Sequence, residues 1–247
     1  MAPRPLEDAP MKPRRTALLA TLALAASALV PRTPAAAPRY RPNERDALIV
    51  VDVQKCFTAG GSLAVADGDA VVPLINRVAS AFHNVVVTQD WHTPDHVSFA
   101  SRHPGRKPFE TIELGYGRQV LWPDHCVQGT DDAALHGDLA LPGAHLVIRK
   151  GFHAGIDSYS AFLEADRKTR TGLAGYLRER GITRVFIAGL ATDFCVAWTA
   201  IDARAAGFAA VVLEDACRAI DTDGSLAAAW KAMTRAGVVR AVTSQVG

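Results

Sequence analysis

The stretch Ala47-Leu-Ile-Val-Val-Asp-Val53 decides the fold of this chain. It is rich in β-branched residues and apolar at consecutive positions, so a strand formed here would be buried on both faces. Such a strand is typical of a parallel sheet that helices cover on both sides. The stretch also contains one aspartate, Asp52, and a carboxylate in apolar surroundings needs a partner or a raised pKa.

Five further short apolar runs follow, and helical patterns lie between them. We predict strands at 47–53, 84–89, 145–148, 184–188, 209–213 and 238–242, and helices at 67–82, 171–180, 193–206 and 225–236. This alternation predicts an α/β fold with three α/β/α layers around a mainly parallel, Rossmann-like sheet of six strands. The exception is the segment 91–143, which is rich in Pro, Gly and His. A loop of that length in a compact domain is usually functional.

Composition limits the classes of partner. The chain has 247 residues, 49% of them hydrophobic, which suits one domain with a sizeable core. Its formal net charge is +2, 21% of its residues are charged, and the body of the chain carries no dense basic block. These values argue against a nucleic-acid partner and favour a small-molecule substrate.

The N-terminal segment 1–37 resembles a secretory signal peptide rather than part of the fold. A basic stretch at 11–15 precedes an apolar run at 17–30, and Ala35-Ala36-Ala37 fits a cleavage site. The apolar run is too short for the roughly 20 residues that span a bilayer, so we expect no stable membrane span. We predict export to the periplasm or medium, with a mature domain at 38–247. The pair Arg14-Arg15 leaves the twin-arginine route open.

An alternative for this segment is a disordered Ala-rich extension, or a start site placed too far upstream. The protein would then stay in the cytoplasm.

Four reactive side chains lie near or just after the ends of predicted strands. They are Asp52, Asp90, Lys150 and Cys195. The carboxyl ends of parallel strands form one edge of the sheet, where ligands bind in open α/β folds. Cys195 would lie in the first turn of the next helix, whose N–H groups favour a thiolate and can hold an oxyanion. Separately these residues could be a buried thiol, a structural aspartate and a surface lysine; together they form a nucleophilic set.

A second group has the composition of a metal site. Asp90 and His92 are two residues apart at a strand end and so share a face. His96 follows, and His125 in the long loop can supply a third ligand. One carboxylate and two imidazoles suit zinc, iron or manganese. The alternative is that these are ordinary solvent-exposed loop histidines.

At these residues the sequence resembles the nicotinamidases of the isochorismatase-like hydrolase superfamily, from about Asp46 to the C-terminus. The Asp-x-His and Trp-Pro-x-His elements are the most specific and resemble its metal-binding branch. The segments that carry the resemblance are Ile49-Val-Val-Asp-Val-Gln54 with Phe57, Ala59-Gly-Gly-Ser-Leu-Ala-Val65, Thr88-Gln-Asp-Trp-His92, His96-Val-Ser-Phe99, Trp122-Pro-Asp-His-Cys-Val-Gln128, Lys150-Gly151, Asp157-Ser-Tyr-Ser-Ala-Phe162, Gly189-Leu-Ala-Thr-Asp-Phe-Cys-Val196 and Asp215-Ala-Cys-Arg218.

The resemblance implies deamidation of nicotinamide, and also of pyrazinamide, through a cysteine thioester. Asp52 would take the proton of Cys195, and Lys150 would support the thiolate. The oxyanion would be held by the backbone N–H groups of Ala191 and Cys195, beside a cis Leu190–Ala191 bond. One divalent metal ion (Zn, Fe or Mn) would bind the pyridine nitrogen and water. The implied metal ligands are Asp90, His92 and His125, and the implied substrate-binding residues are Phe57, Leu63, Trp122 and Tyr159.

Two other functions stay open. One is an amidase of the same superfamily that acts on another carboxamide or on a carbamoyl compound. The other is an exported protein that binds nicotinamide or metal without catalysis. The sequence does not decide the oligomeric state, and a homo-oligomer is one possibility.

The chain departs from the family pattern after Gln54. Where the family usually reads Val-Asp-x-Gln-Asn-Asp-Phe, this chain has Lys55 and Cys56 before Phe57. The four cysteines of the chain form no C-x-x-C pair, which disfavours a structural zinc site. Whether Cys56 pairs with Cys126 in an oxidising compartment stays open. A pair that used Cys195 would remove the proposed chemistry.

Overall fold

The structure is a computed structural model, and it describes residues 39–247. The predicted signal segment lies outside these residues. The strands are β1 (Asp46–Val51), β2 (Asn84–Asp90), β3 (Thr111–Leu114), β4 (Gly117–Val120), β5 (Ala144–Lys150), β6 (Arg184–Leu190), β7 (Ala209–Arg218) and β8 (Val239–Ala241). The α-helices are α1 (Val71–Ala79), α2 (Leu173–Glu179), α3 (Ala197–Ala205) and α4 (Ser225–Arg235). Among residues 39–247, no helix combines the length and apolarity that crossing a bilayer requires.

Six strands form one sheet in the order β5-β2-β1-β6-β7-β8, and every pairing in it is parallel. The predicted α/β fold with a six-stranded sheet is therefore confirmed. The strand order has a direct consequence for function. Asp90 and Lys150 end β2 and β5, and Asp52 and Cys195 follow β1 and β6. These four strands are neighbours in the sheet.

The sheet separates two hydrophobic cores, and β1 contributes to both. Leu48 and Val50 belong to the core that contains the apolar face of α1. Ala47 and Ile49 alternate with them and belong to the opposite core, together with residues of α2, α3 and α4. Burying one Leu or Ile side chain contributes roughly 1.5–3 kcal/mol. A strand that is apolar from Ala47 to Val51 is thus stabilised from both faces.

Several elements are shorter or different from those predicted. β1 ends at Val51, because Asp52 adopts a left-handed conformation with φ 48° and its N–H donates to Thr88 Oγ1. The predicted helix at 193–206 begins instead with a π-helical turn, Thr192–Val196, before α3. The predicted helix at 67–82 is α1 preceded by one 3-10 turn at Gly68–Ala70.

The long segment 91–143 contains a two-stranded antiparallel hairpin, β3 and β4, which we did not predict. A disulfide bond between Cys56 and Cys126 joins this segment to the chain just after β1. The pairing that the sequence left open is thus present. Cys195 and Cys217 are free thiols.

Candidate active site

The carboxyl edge of the sheet brings four reactive side chains together. Asp90 ends β2 and lies opposite Lys150, which ends β5. Asp52 directly follows β1, and Cys195 lies in the π-helical turn that follows β6. We call these four residues the Lys150 cluster, because each of the other three contacts Lys150.

Lys150 is completely buried, and its ammonium group has four partners. Nζ lies 2.8 Å from Asp52 Oδ2 and also donates to Asp90 Oδ1. It donates to the carbonyl oxygen of Ser158 at 2.9 Å and contacts Cys195 Sγ at 3.4 Å. Two carboxylates therefore share one cation, and the thiol lies beside it.

Burial and charge determine the protonation states in the cluster. Burial lowers the pKa of Lys150, but the charges of Asp52 and Asp90 outweigh burial and hold that pKa well above its usual value. Burial raises the pKa of the Cys195 thiol well above its usual value; the charge of Lys150 opposes this shift. Burial also raises the pKa of Asp52. The resting cluster thus contains a protonated thiol beside a carboxylate of raised basicity, which is the pairing that proton transfer requires.

Two contacts with the neighbouring strands hold Asp52 and the end of β1 in place. Thr88 on β2 donates its hydroxyl proton to Asp52 Oδ1 at 2.5 Å. Gly189 on β6 approaches the end of β1 so closely that a Cβ atom on it would lie 2.0 Å from the carbonyl oxygen of Val51. A residue with a side chain at 189 would push β1 and β6 apart. The adjoining Leu190–Ala191 bond is cis, as the resemblance implied.

Asp90, His92 and His125 form a buried group whose ligand atoms all lie within 4.8 Å of one another. Nε2 of His92 lies 3.5 Å from Asp90 Oδ2, and Nε2 of His125 lies 3.9 Å from it. The Nδ1 atoms contact the carbonyl oxygens of Gly151 at 2.9 Å and Pro123 at 2.8 Å. A carbonyl oxygen only accepts, so each Nδ1 carries a proton, and in the neutral imidazole each Nε2 then presents a lone pair.

This arrangement fits a divalent metal ion. Carbonyl partners on Nδ1 fix the tautomer that ligating histidines need. Burial lowers the pKa of His125 to about 4, so this imidazole is neutral. Burial also lowers the pKa of His92, but the negative charge of Asp90 outweighs burial and raises it. One carboxylate and two imidazoles suit zinc, iron or manganese.

His96 lies beside this group but has other partners. Its Nδ1 is 2.7 Å from Ser98 Oγ, and its Nε2 is 3.2 Å from the carbonyl oxygen of Ile156. Ser98 N–H also donates to Nδ1, so the ring proton lies on Nε2. Protein atoms thus occupy both ring nitrogens, and His96 contributes to the site as a neighbour of His92.

A small pocket opens onto both groups. Its wall contains Cys195 and the residues of the Asp90, His92 and His125 group. The four residues that the resemblance assigns to the substrate also line it, and we call them the substrate slot: Phe57, Leu63, Trp122 and Tyr159.

Several residues of the site were missed from the sequence. Asp157, Phe194 and Ile220 also line the pocket. Buried Gln54 accepts a hydrogen bond from the N–H of Asp90 at 2.7 Å and donates to its carbonyl at 2.9 Å, which fixes the backbone of that residue. Phe194 could have been found, since it directly precedes Cys195. The role of Gln54 depends on contacts with β2, 36 residues away, and no local pattern shows them.

A parallel α/β sheet that gathers a thiol, two carboxylates and an amine at one edge, beside a small pocket, is typical of hydrolases with a cysteine nucleophile. Residues 46–245 match the model of the isochorismatase domain. The chain belongs to the isochorismatase domain family.

Named relatives narrow this class. The chain is 64% identical over 202 residues to a nicotinamidase of Acinetobacter baylyi, covering 82% of this chain and 94% of that protein. It is similar to the solved structure of an Acinetobacter baumanii nicotinamidase and pyrazinamidase, with 62% identity and a TM-score of 0.81 over 82% of this chain and 98% of that one. The solved structure of a pyrazinamidase of Pyrococcus horikoshii in complex with zinc has 33% identity to this chain and a TM-score of 0.65. The match covers 80% of this chain and 99% of that one.

Proposed function

We propose that this protein is a nicotinamidase that hydrolyses nicotinamide to nicotinate and ammonia, with pyrazinamide as a second substrate. One observation carries the proposal: a single small pocket contains the Cys195 thiol, the buried group Asp90, His92 and His125, and the substrate slot. The identity to the nicotinamidase of Acinetobacter baylyi supports the choice of amide.

The substrate slot positions the ring of the substrate. Trp122 and Tyr159 meet edge to face with an interplanar angle of 83°, and the Trp122 indole donates to the Tyr159 hydroxyl at 3.0 Å. Such an arrangement offers flat, rigid walls for an aromatic ring. The carboxamide would then face Cys195, which lies in the same pocket.

The chemistry begins with proton transfer from Cys195 to Asp52. The sulfur attacks the carboxamide carbon as the carboxylate takes its proton, because the buried thiol does not ionise unaided. Lys150 stays charged and stabilises the negative charge on sulfur. The backbone N–H groups of Ala191 and Cys195 would hold the oxyanion.

The second half-reaction releases the product. Asp52 returns its proton to the leaving nitrogen, and ammonia departs. Water then attacks the thioester, and Asp52 accepts a proton from that water. Nicotinate leaves as Cys195 is regenerated.

We propose that Asp90, His92 and His125 hold one divalent metal ion: zinc, iron or manganese. Bound there, such an ion supplies a Lewis acid for a ring nitrogen and for water. The zinc in the Pyrococcus horikoshii structure supports the presence of a metal in this family. The tautomers fixed by Gly151 and Pro123 support it independently.

An ammonia-release assay on nicotinamide tests the proposal. The full-length protein is assayed as purified, after chelation, and after return of zinc, iron or manganese. We expect turnover that chelation abolishes and metal restores. Undiminished turnover of another carboxamide or a carbamoyl compound after chelation, without turnover of nicotinamide, would favour a metal-free amidase. Binding of nicotinamide without ammonia release would favour a non-catalytic role.

We also propose that the protein is exported. The signal-like pattern at 1–37 supports this, and so does the disulfide between Cys56 and Cys126, since such bonds persist in oxidising compartments. N-terminal sequencing of the protein from an expressing cell should find a mature chain outside the cytoplasm that begins near residue 38. A cytoplasmic protein that keeps residues 1–37 would contradict export.

A further inference from the structure

The two residues that depart from the family pattern both contact one segment, 126–134. Cys56 is bonded to Cys126, and its N–H donates to the carbonyl of Asp132 at 2.8 Å. Lys55 pairs with Asp131 at 2.6 Å, and its N–H donates to the carbonyl of Ala134 at 2.9 Å. The departure thus replaces the usual pair of residues with a covalent and ionic attachment to the loop after His125.

The disulfide lies next to two parts of the active site. Cys56 directly precedes Phe57 of the substrate slot, and Cys126 directly follows His125 of the metal-binding group. Backbone hydrogen bonds extend this connection. The carbonyl of Cys56 accepts from the N–H of Leu63 at 2.9 Å, and the carbonyl of Cys126 accepts from the N–H of His92 at 3.1 Å.

We propose that the Cys56–Cys126 disulfide is a positioning cross-link, which holds His125 in place for the metal and Phe57 in place for the substrate ring. The inference rests on the proposed function for the identity of the ring, but its metal-binding part stands on geometry alone. Because the cross-link adjoins His125, the affinity for metal would depend on whether Cys56 and Cys126 are oxidised, although neither belongs to the Lys150 cluster.

Besides the covalent bond, backbone hydrogen bonds and one side-chain ion pair join these segments. The Lys55–Asp131 pair is exposed, with 42% and 84% of the two side chains accessible, and exposed pairs contribute little. His125 also hydrogen-bonds to Pro123 within its own segment, and its ring packs against Phe57 and His92. Both cysteines are fully buried in the core cluster that also contains Phe57 and Trp122, so the bond is part of the packing around the pocket.

Reduction of the bond can be written without touching the catalytic thiol. A phosphine attacks one sulfur, the S–S bond breaks, and the released thiolate takes a proton from water. Water then hydrolyses the thiophosphonium group, which yields the phosphine oxide and the second thiol. Cys195 is already a free thiol, so it is unchanged. A phosphine is preferable to a dithiol here, because a dithiol binds zinc.

The test measures the affinity of the metal-depleted full-length protein for Zn²⁺ by competition with a chromophoric chelator. The proteins are the wild type with and without phosphine, the double variant Cys56→Ala/Cys126→Ala, and the single variant Cys56→Ser, which keeps the side-chain volume. Cys217→Ala is the matched control, because Cys217 is a buried free thiol that does not line the pocket. Circular dichroism during the titration confirms that each protein is folded.

We expect reduction and both Cys56 variants to weaken Zn²⁺ binding by about 10-fold or more, as loss of groups that orient ligands does. The variants should not respond to phosphine, and Cys217→Ala should respond as the wild type does. For nicotinamide, KM should rise by a larger factor than kcat falls. A purely stabilising disulfide would leave the Zn²⁺ affinity of the folded protein unchanged.

Equal Zn²⁺ affinity in the oxidised wild type, the reduced wild type and the folded variants would overturn the proposal. If the double variant does not fold, Cys56→Ser and the reduced wild type decide the question. A wild type that binds Zn²⁺ but does not hydrolyse nicotinamide would refute the proposed function, while the Zn²⁺ titration would still test the cross-link.

Discussion

The sheet carries buried charge at both of its ends, and the two ends differ in how that charge is balanced. At the amino end, Arg184 at the start of β6 binds Asp46 at the start of β1 through two hydrogen bonds of 2.8 Å. One cation meets one carboxylate there, and Arg184 is about one-third exposed. At the carboxyl end, Lys150 is fully buried and divides its charge between Asp52 and Asp90.

The comparison separates a structural ion pair from a reactive one. The bidentate pair of Asp46 and Arg184 satisfies both partners and lies beside no nucleophile or pocket that we assign to chemistry. In the Lys150 cluster two carboxylates compete for one ammonium group, so one of them keeps a basic character that a neighbouring thiol can use. In this protein, buried charged residues therefore indicate function where the positive and negative charges are unequal in number and a reactive group lies beside them.

The largest effect should come from removing the nucleophile. We expect Cys195→Ala to lower kcat by about 10⁴-fold or more, because no other group can form the thioester. The variant should keep its fold and its bound metal, as judged by circular dichroism and metal analysis. Cys217→Ala is the matched control. Retention of more than a few per cent of wild-type turnover would refute the assignment of the nucleophile.

Removing the shared cation should affect both activity and stability. Lys150→Met leaves two buried carboxylates without their partner, and breaking a buried pair costs about 3–5 kcal/mol. We expect the free energy of unfolding in urea to fall by about that amount and turnover to drop by about 10³-fold or more. A variant as stable as the wild type would mean that one carboxylate is already protonated in the resting protein.

Removing one imidazole should release metal before it affects the fold. We expect His92→Ala to lower metal affinity by about 100-fold or more, because losing a ligand costs at least as much as losing a group that only orients one. The KM for nicotinamide should rise as well. Metal analysis after dialysis checks this. His96 lies beside His92, but both of its ring nitrogens already contact protein atoms. His96→Gln should therefore lose less metal than His92→Ala. Full metal occupancy in His92→Ala would show that His92 is not a ligand.

The smallest effect should come from the amino end of the sheet. Arg184→Met removes a partly exposed partner, so we expect a loss of about 1 kcal/mol in the free energy of unfolding. Nicotinamide turnover below the melting temperature should stay within about twofold of the wild type, because the pair lies at the far end of the strands. A loss of turnover comparable with that of Lys150→Met would remove the distinction between the two ends.

The sequence predicts the parallel sheet well because runs such as 47–53 are short, apolar on both faces and rich in β-branched residues, which together favour buried strands over buried helices. It missed the hairpin β3–β4, whose residues are mostly exposed or half-buried and lie in a Pro- and Gly-rich region. It also placed Asp52 within β1. The left-handed turn at that residue depends on Thr88, on a different strand, and no local pattern contains that contact.

The site residues at the ends of strands could be predicted from the sequence, but the long-range contacts between them could not. Strand ends mark Asp90 and Lys150, and the Asp-x-His spacing marks His92. By contrast, buried Asp157 binds Gln119 across 38 residues, and Cys56 binds Cys126 across 70. Such pairings follow from the path of the long loop, which periodicity does not describe.

The most direct test of the central claim is to locate the acyl group during turnover. The wild-type protein is mixed with nicotinamide, quenched in acid within one turnover, digested, and mapped by mass spectrometry. The mechanism predicts a nicotinoyl group in thioester linkage on Cys195, and none in Cys195→Ala. An acyl group on another residue, or ammonia release by Cys195→Ala at the wild-type rate, would contradict the proposed catalytic role of the Lys150 cluster.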